Sequence, residues 1–433
     1  MTKRILCLLP AACAVFAAET VFEVKGPLTD KTPGIRFGNV VFTDNDRVCA
    51  RFEAAELDDK IPGRLTTDKL RLPNKEPGKG AYFKFSFDAQ YTFASGKGGP
   101  PQRCNQGVFF YDEKGRVLPD CYDTMYPGDA PHHYERVLYA WDEVDSLEIF
   151  FQKPWNMRTE NGDTCTLNVS NLKVETATWE DAARFCDATY AKLPPLEFTP
   201  TEDFTRLLPR TMEAFQTGRP WRVVMLGDSI VQDTFHSQFH ALVKRAFPQS
   251  NVEWILSMRG GTGCWYYILA DNFYSYVVDH RPDLLIIGGI SNARKHDETP
   301  LGRDVGPTGP EAMVRVAKLA RERLGCEALI VNNPLAVDYR PYDAADPDAP
   351  LPKMSFNVHH FEMIRDQGWD YGRLKNLCDG AGIPWWDAFV PCYDWLFRSE
   401  LPFGHFSRDA VHSGELGKQI IGHVMLRYFT SGK

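Results

Sequence analysis

Two short stretches of the C-terminal half carry the residue types of nucleophilic acyl transfer. Ser229 follows Val223-Val224-Met225-Leu226-Gly227-Asp228 and precedes Ile230-Val231, so an apolar run leads into it and residues at helical spacing lead away. Gly227 and Asp228 make the tight turn between the two, and the serine opens a helix, where free backbone N–H groups and the dipole favour developing negative charge. An acyl-transfer nucleophile needs that, because its tetrahedral intermediate carries an oxyanion. An unreactive helix-capping serine has the same local sequence. The second stretch separates the two readings. Asp409-Ala410-Val411-His412 sets a carboxylate three residues before a histidine, just ahead of the last helix. Attack on an ester needs a base for the serine proton, and the base needs an acid to orient it. Alone, His412 reads as an exposed loop histidine and Asp409 as a turn former. Two matches at opposite ends of one α/β pattern point to a Ser-His-Asp arrangement.

The elements that must position these residues are strands alternating with helices. From residue 219 onward Val223–Leu226, Val252–Met258, Asp283–Gly288, Glu327–Val331 and Pro384–Phe389 read as strands. Val231, Phe235, Phe239, Leu242 and Val243 recur at helical spacing, Glu311–Leu324 is amphipathic, and Gly414–Phe429 closes the chain as a helix. Repeated strand–helix units imply a parallel sheet covered on both faces, with ligands at the carboxyl ends of its strands. From about 20 to 176 the pattern is different. Ala81–Phe87, Gly107–Tyr111, Ser146–Phe151 and Thr166–Val174 are alternating or ring-rich runs between Gly, Pro, Asn and Asp, and Asp112-Glu113-Lys114-Gly115 reads as a hairpin turn. An antiparallel sandwich is expected there. Trp179–Tyr190 suits a short helix, and Pro194, Pro195 and Pro200 break the chain beyond it. The expected division is 1–18 leader, 19–176 β-sandwich, 177–218 linker and 219–433 hydrolase domain.

On these residues the chain resembles the SGNH (GDSL-like) hydrolases over roughly 221–430. Gly227-Asp228-Ser229 matches the family's first block, and Asp409-Ala410-Val411-His412 its fifth, with Gly417 following as in many members. Arg259-Gly260-Gly261-Thr262-Gly263 stands where the second block belongs, with Gly261 favoured over Gly260 as the oxyanion-hole glycine. The third block is usually Gly-x-Asn-Asp; here the chain reads Gly288-Gly289-Ile290-Ser291-Asn292, one residue longer and without the Asp. Asn292 is the favoured side-chain oxyanion donor, and Ser291 is in strict register. The GxSxG elbow of the α/β-hydrolases is missing. The resemblance implies a three-layer αβα, flavodoxin-like domain after an all-β, jelly-roll-like sandwich. It implies ester hydrolysis without a cofactor: Ser229 attacks, His412 shuttles the proton, Asp409 orients His412, and Ser229 N–H, Gly261 N–H and Asn292 hold the oxyanion. A leader and a sandwich ahead of such a domain look like the carbohydrate-binding modules of polysaccharide esterases. The expected substrate is an O-acetylated polysaccharide or glycan. An envelope O-acyltransferase with the same site, or a non-catalytic glycan binder, are the alternatives.

Other residues admit two readings. Trp265-Tyr266-Tyr267 suit sugar stacking or core packing equally, and Tyr122, Tyr126, Tyr134 and Trp155 suit a sugar-stacking face or a plain sandwich. His296 and Asp297 read as solvated loop residues, and the Pro- and Asp-rich stretch 335–356 as a cleft insertion or a surface loop.

Composition is that of an ordinary globular protein. The 433 residues carry a net charge of -8, which gives no general attraction for nucleic acid. Lys3 and Arg4 precede the apolar stretch Ile5–Ala18, which is too short to span a bilayer and reads as an export leader cleaved near Ala17 or Ala18. Cys13 leaves a lipoprotein anchor as the other option, a signal that Pro10 fits poorly. No other stretch is long and apolar enough to cross a membrane. Beyond the leader nine cysteines remain, Cys49, Cys104, Cys121, Cys165, Cys186, Cys264, Cys326, Cys378 and Cys392, so export permits disulfides and the odd number leaves one thiol over. No Cys/His spacing suits zinc, and no metal is expected. The oligomeric state is not legible.

Overall fold

The structure, a computed structural model, describes residues 18–29, 31–38, 50–52, 63–98, 102–125, 127–128, 130–154, 157, 161–288, 309–332, 371–401, 406–409 and 412–433. Among the described residues the N-terminal half holds ten strands: β1 (Thr20–Glu23), β2 (Ile35–Gly38), β3 (Ala50–Phe52), β4 (Arg64–Thr67), β5 (Ala81–Ala94), β6 (Cys104–Tyr111), β7 (Val117–Met125), β8 (His132–Ala140), β9 (Ser146–Gln152) and β10 (Thr164–Ala177). They form two antiparallel sheets, β1-β10-β5-β8 with β3 also on β10, and β2-β4-β9-β6-β7. Period-two alternation along β5 turns Phe83, Phe85 and Phe87 inward, all fully buried. The second sheet answers with Phe110 and Phe151. Phe87 meets Phe151 edge-on at 4.8 Å and Phe83 meets Phe110 at 6.1 Å, so the two sheets close face to face as a sandwich. Burying each such ring contributes about 1.5–3 kcal/mol. The β6–β7 hairpin turns at Asp112–Gly115 as its residue types require. Asp112 Oδ1 accepts from Lys114 N and Arg116 N, and Gly115 is left-handed at φ 75°.

The C-terminal half holds β11 (Pro220–Gly227), β12 (Asn251–Met258), β13 (Leu284–Ile287), β14 (Glu327–Asn332) and β15 (Trp385–Asp387). They form one parallel sheet in the order β12-β11-β13-β14-β15. That is the doubly wound, flavodoxin-like order, whose switch point lies at β11. Helices Gly309–Leu324 and Tyr371–Ala381 pack together in one group, while α1 (Trp179–Tyr190), α4 (Phe239–Ala246) and the C-terminal helix Glu415–Phe429 form another, giving three layers. α1 opens on a capping box between Thr178 and Asp181, and Tyr190 stacks on His423 of the C-terminal helix at 3.8 Å. α2 (Pro209–Thr217) leads into β11.

Two local expectations are corrected. The apolar spacing from Val231 to Val243 is shared by two helices, α3 (Ser229–Phe235) and α4, separated by Gln238 at φ 60°. The C-terminal helix crosses at that break, where a Cβ on Gly422 would stand 2.9 Å from Ser237 Oγ. The stretch Pro384–Phe389 is a strand only at Trp385–Asp387, because Asp387 Oδ1 accepts from Phe389 N and Val390 N and starts the helix Phe389–Ser399.

The two halves share one core. Trp141, fully buried, meets Phe235 at 5.8 Å, and Tyr82 Oη lies 2.8 Å from His240 Nδ1. All eight described cysteines are buried thiols, and Cys49 lies outside the described residues. No described helix is long and apolar enough to cross a membrane.

Candidate active site

β11 delivers Ser229 to the carboxyl edge of the sheet at its switch point. Gly227 is required there by space: a Cβ would meet Val231 Cγ2 at 2.3 Å and Gly288 O at 2.8 Å, so the end of β13 passes close by. Asp228, fully buried, caps α3 by accepting from Ile230 N at 2.9 Å. Ser229 itself is half-buried and open to a ligand.

His412 and Asp409 come from a hairpin that leads into the C-terminal helix. Its arms are joined by Arg408 N donating to His412 O at 3.0 Å and Gly414 N to Phe406 O at 2.8 Å. Gly417 lets the helix lie on this hairpin, since a Cβ would stand 2.1 Å from Phe406 O. At the tip His412 N donates to Asp409 Oδ1 at 2.8 Å, and His412 Nδ1 lies 3.0 and 2.9 Å from Asp409 Oδ1 and Oδ2. His412 Nε2 lies 2.8 Å from Ser229 Oγ. The carboxylate thus selects the tautomer that leaves Nε2 free to accept the serine proton. The side chains of His412 and Asp409 are 19% and 40% exposed, so solvent and substrate reach the pair.

With the sheet order and this serine–histidine–aspartate chain in place, the C-terminal half is a three-layer αβα, flavodoxin-like domain with the three side chains at its switch point.

No family model matches the sequence, and no curated protein does. Among solved structures the chain is similar to a two-domain esterase active on acetylated mannans, at 14% identity over 52% of this chain and 52% of that one, with a TM-score of 0.36. It is similar to an acetyl xylan esterase from Geobacillus stearothermophilus, at 13% identity over 48% of this chain and 94% of that one, TM-score 0.35. It is also similar to an alpha/beta hydrolase enzyme from the metagenome of Lake Arreo, Spain, at 15% identity over 49% and 96%, TM-score 0.35. The match spans about half the length of the two-domain esterase.

The residues expected to hold the oxyanion divide. Gly261 lies in the turn after β12, and β12 pairs with β11 so that Met258 stands opposite Gly227. The turn therefore leaves the sheet at the same edge as Ser229. Gly261 is left-handed at φ 68°, and neither it nor Gly260 has anything within 4 Å of an added Cβ, so this backbone faces open space. Asn292 and Ser291 lie outside the described residues, as do His296, Asp297, 335–356, Tyr126 and Trp155.

Several ring residues have duties other than sugar stacking. Tyr267 is fully buried, donates to Gly227 O and accepts from Arg259 N at 2.9 Å, so it braces the turns before and after the site. Trp265 and Tyr266 are half-buried, and Tyr266 lies under the Arg259 guanidinium at 4.6 Å. Tyr122 and Tyr134 do not share a face, since β7 and β8 belong to different sheets. Tyr134 stacks on Phe87 at 5.1 Å, and Tyr122 points at the Asp409 hairpin.

Behind the hairpin lies a buried charged layer that periodicity alone did not reveal. Arg408 Nη1 donates to Asp233 Oδ1 and to Ser413 O, both at 2.6 Å, while Asp233 Oδ2 accepts from Ser413 N at 2.9 Å. Lys418 Nζ stands 4.0 Å from Asp233 Oδ1, and Arg136 of β8 meets Glu415 Oε2 at 2.8 Å. Burial disfavours the Arg408 charge, but Asp233, Tyr122 and Asp409 more than offset it and hold the guanidinium protonated. The only signal in the sequence was polar residues on apolar stripes: Asp233 within α3 and Lys418 within the last helix. Among the described residues no group of three or more His, Cys, Asp or Glu could hold a metal ion.

Proposed function

We propose that this chain is a serine ester hydrolase that removes O-acetyl groups from a polysaccharide or glycan. The observation that carries the chemistry is the hydrogen-bonded chain from Ser229 Oγ through His412 to Asp409. Ser229 Oγ attacks the acyl carbon while His412 Nε2 takes its proton. The resulting imidazolium, held by Asp409, then protonates the departing sugar oxygen. Water, deprotonated by His412, attacks the acyl-enzyme; acetate leaves and the proton returns to Ser229. The N–H groups of Ser229 and Gly261, with the Asn292 side chain, are proposed to hold the oxyanion. Removing one such donor typically slows the reaction roughly 100- to 1000-fold.

The carbohydrate assignment draws on the sandwich joined to the site and on Trp265 and Tyr266, half-buried beside the Gly261 turn. The leader-like stretch up to Ala18 supports export to where polysaccharides are met. Turnover of nitrophenyl acetate by the purified chain tests the chemistry. Ser229→Ala is expected to lower kcat by on the order of 10⁴- to 10⁶-fold. Equal activity in the variant sinks Ser229 as the nucleophile. Acetate released from a panel of acetylated xylans and mannans tests the substrate class. Acylated sugar formed with an acceptor in excess would assign transfer rather than hydrolysis.

A further inference from the structure

We propose that the N-terminal sandwich is part of the catalytic centre, with Tyr122 of β7 as a positioning residue for Asp409. This rests on Ser229, His412 and Asp409 being the reacting triad. The contact is specific to one oxygen. Tyr122 Oη donates to Asp409 Oδ2 at 3.5 Å, and the same Oδ2 lies 2.9 Å from His412 Nδ1. The bond is long in the free protein, and such bonds tighten as a site engages its substrate. Asp409 is 40% exposed, so without a fixed donor on its outer side water would compete for its lone pairs and let the carboxylate turn.

The tyrosine is held to that task from three sides. Its ring lies under the Arg408 guanidinium at 4.0 Å, a cation that Asp233 and Ser413 O fix in place. Its carbonyl accepts from Lys418 Nζ at 3.2 Å. Next to β6, Arg103 Nη1 donates to Ser407 O at 2.9 Å, so the sandwich also grips the first arm of the hairpin. The groups that face Asp409 include His412 from its own hairpin, Arg408 with Nε at 4.0 Å, and Tyr122 from the other half of the molecule. Burial, with Asp409 beside it and Arg408 opposing, pushes the Tyr122 hydroxyl up to about 12, so it stays a donor at neutral pH. A sandwich serving only to bind sugar has no need to reach the orienting acid of the base.

Tyr122→Phe in the full chain is the test, because it deletes the hydroxyl and keeps the ring under Arg408. We expect kcat on nitrophenyl acetate to fall about 3- to 10-fold, the worth of one hydrogen bond, with KM and melting temperature unchanged. The acid limb of the pH–rate profile is expected to move to higher pH, since a carboxylate that loses a donor holds the imidazolium more tightly. Without substrate, the low-field proton resonance of His412 Nδ1–H is expected to shift. Wild-type kcat, pH profile and resonance in the variant would overturn the proposal. So would a kcat loss that merely follows a lower melting temperature while the resonance and the acid limb stay put. Full activity in Ser229→Ala would instead remove the triad reading, an outcome independent of the His412 resonance in Tyr122→Phe.

Discussion

Ser229, His412 and Asp409 stand half-open to solvent, whereas Arg408, Asp233, Lys418 and Arg136, neighbours of the same hairpin and helix, are almost wholly enclosed. The first set has one spare capacity in each group: a serine proton to give, an imidazole nitrogen to receive it, a carboxylate to steady the charge. The second set has its charges matched, Arg408 and Lys418 on Asp233 within the C-terminal half and Arg136 on Glu415 across the two halves. Burying an ion pair adds little to stability by itself, but removing one partner strands the other in a medium that cannot solvate it. The groups proposed to exchange protons are thus kept near water, and the matched charges behind them are kept away from it.

Substitutions can break that contrast. After Ser229→Ala, the largest effect is expected from Asp409→Asn, which leaves the hairpin in shape and removes the charge that selects the His412 tautomer. Turnover is expected to fall by about 10²- to 10⁴-fold, with the melting temperature nearly unchanged. Asp233→Asn is expected to act in reverse, destabilising the fold by about 3–5 kcal/mol through the stranded Arg408, as read from urea unfolding. If Asp409→Asn unfolded the protein while Asp233→Asn left it intact, the assignment of working and supporting charges would be the wrong way round.

The smallest effect sharpens the boundary between the halves. His240, against Tyr82 of the sandwich, is held neutral by burial, its pKa lowered from 6.5 to about 3. The unfolded chain takes up a proton at this residue below about pH 6.5 and the folded chain does not. The histidine's contribution is therefore full above that pH and is lost as pH falls towards about 3, by at most about 1.4 kcal/mol per pH unit. Urea midpoints measured at neutral pH and near pH 5 are expected to fall further in the wild type than in His240→Gln. Equal losses would mean that His240 is charged in the folded protein.

Much of this architecture was legible because its signals are short. Alternation along Ala81–Phe87 announced an inward row of rings, and the Gly-Asp-Ser turn announced a strand passing into a helix; both follow from backbone sterics over a few residues. The contact of Asp409 with His412 was legible because the two lie three residues apart. Tyr122 read as either a sugar-stacking ring or a plain sandwich residue and Tyr267 as either a stacking or a core ring, for neither carries a local sign of the partner it meets. Arg408 and Asp233 went unread for the same reason, standing 175 residues apart.

The sequence by itself settled that a strand-rich half precedes alternating strands and helices, and which residue types reach the carboxyl edge of the sheet. Periodicity and turn chemistry act over one or two turns of chain, and composition needs no contacts at all. Only the tertiary structure decided that His412 Nε2 comes to Ser229 Oγ across 183 residues and that a tyrosine of the sandwich comes to Asp409 across 287. Those meetings depend on how complete sheets and helices pack against one another, and that packing sums many weak contacts that no short window of sequence contains.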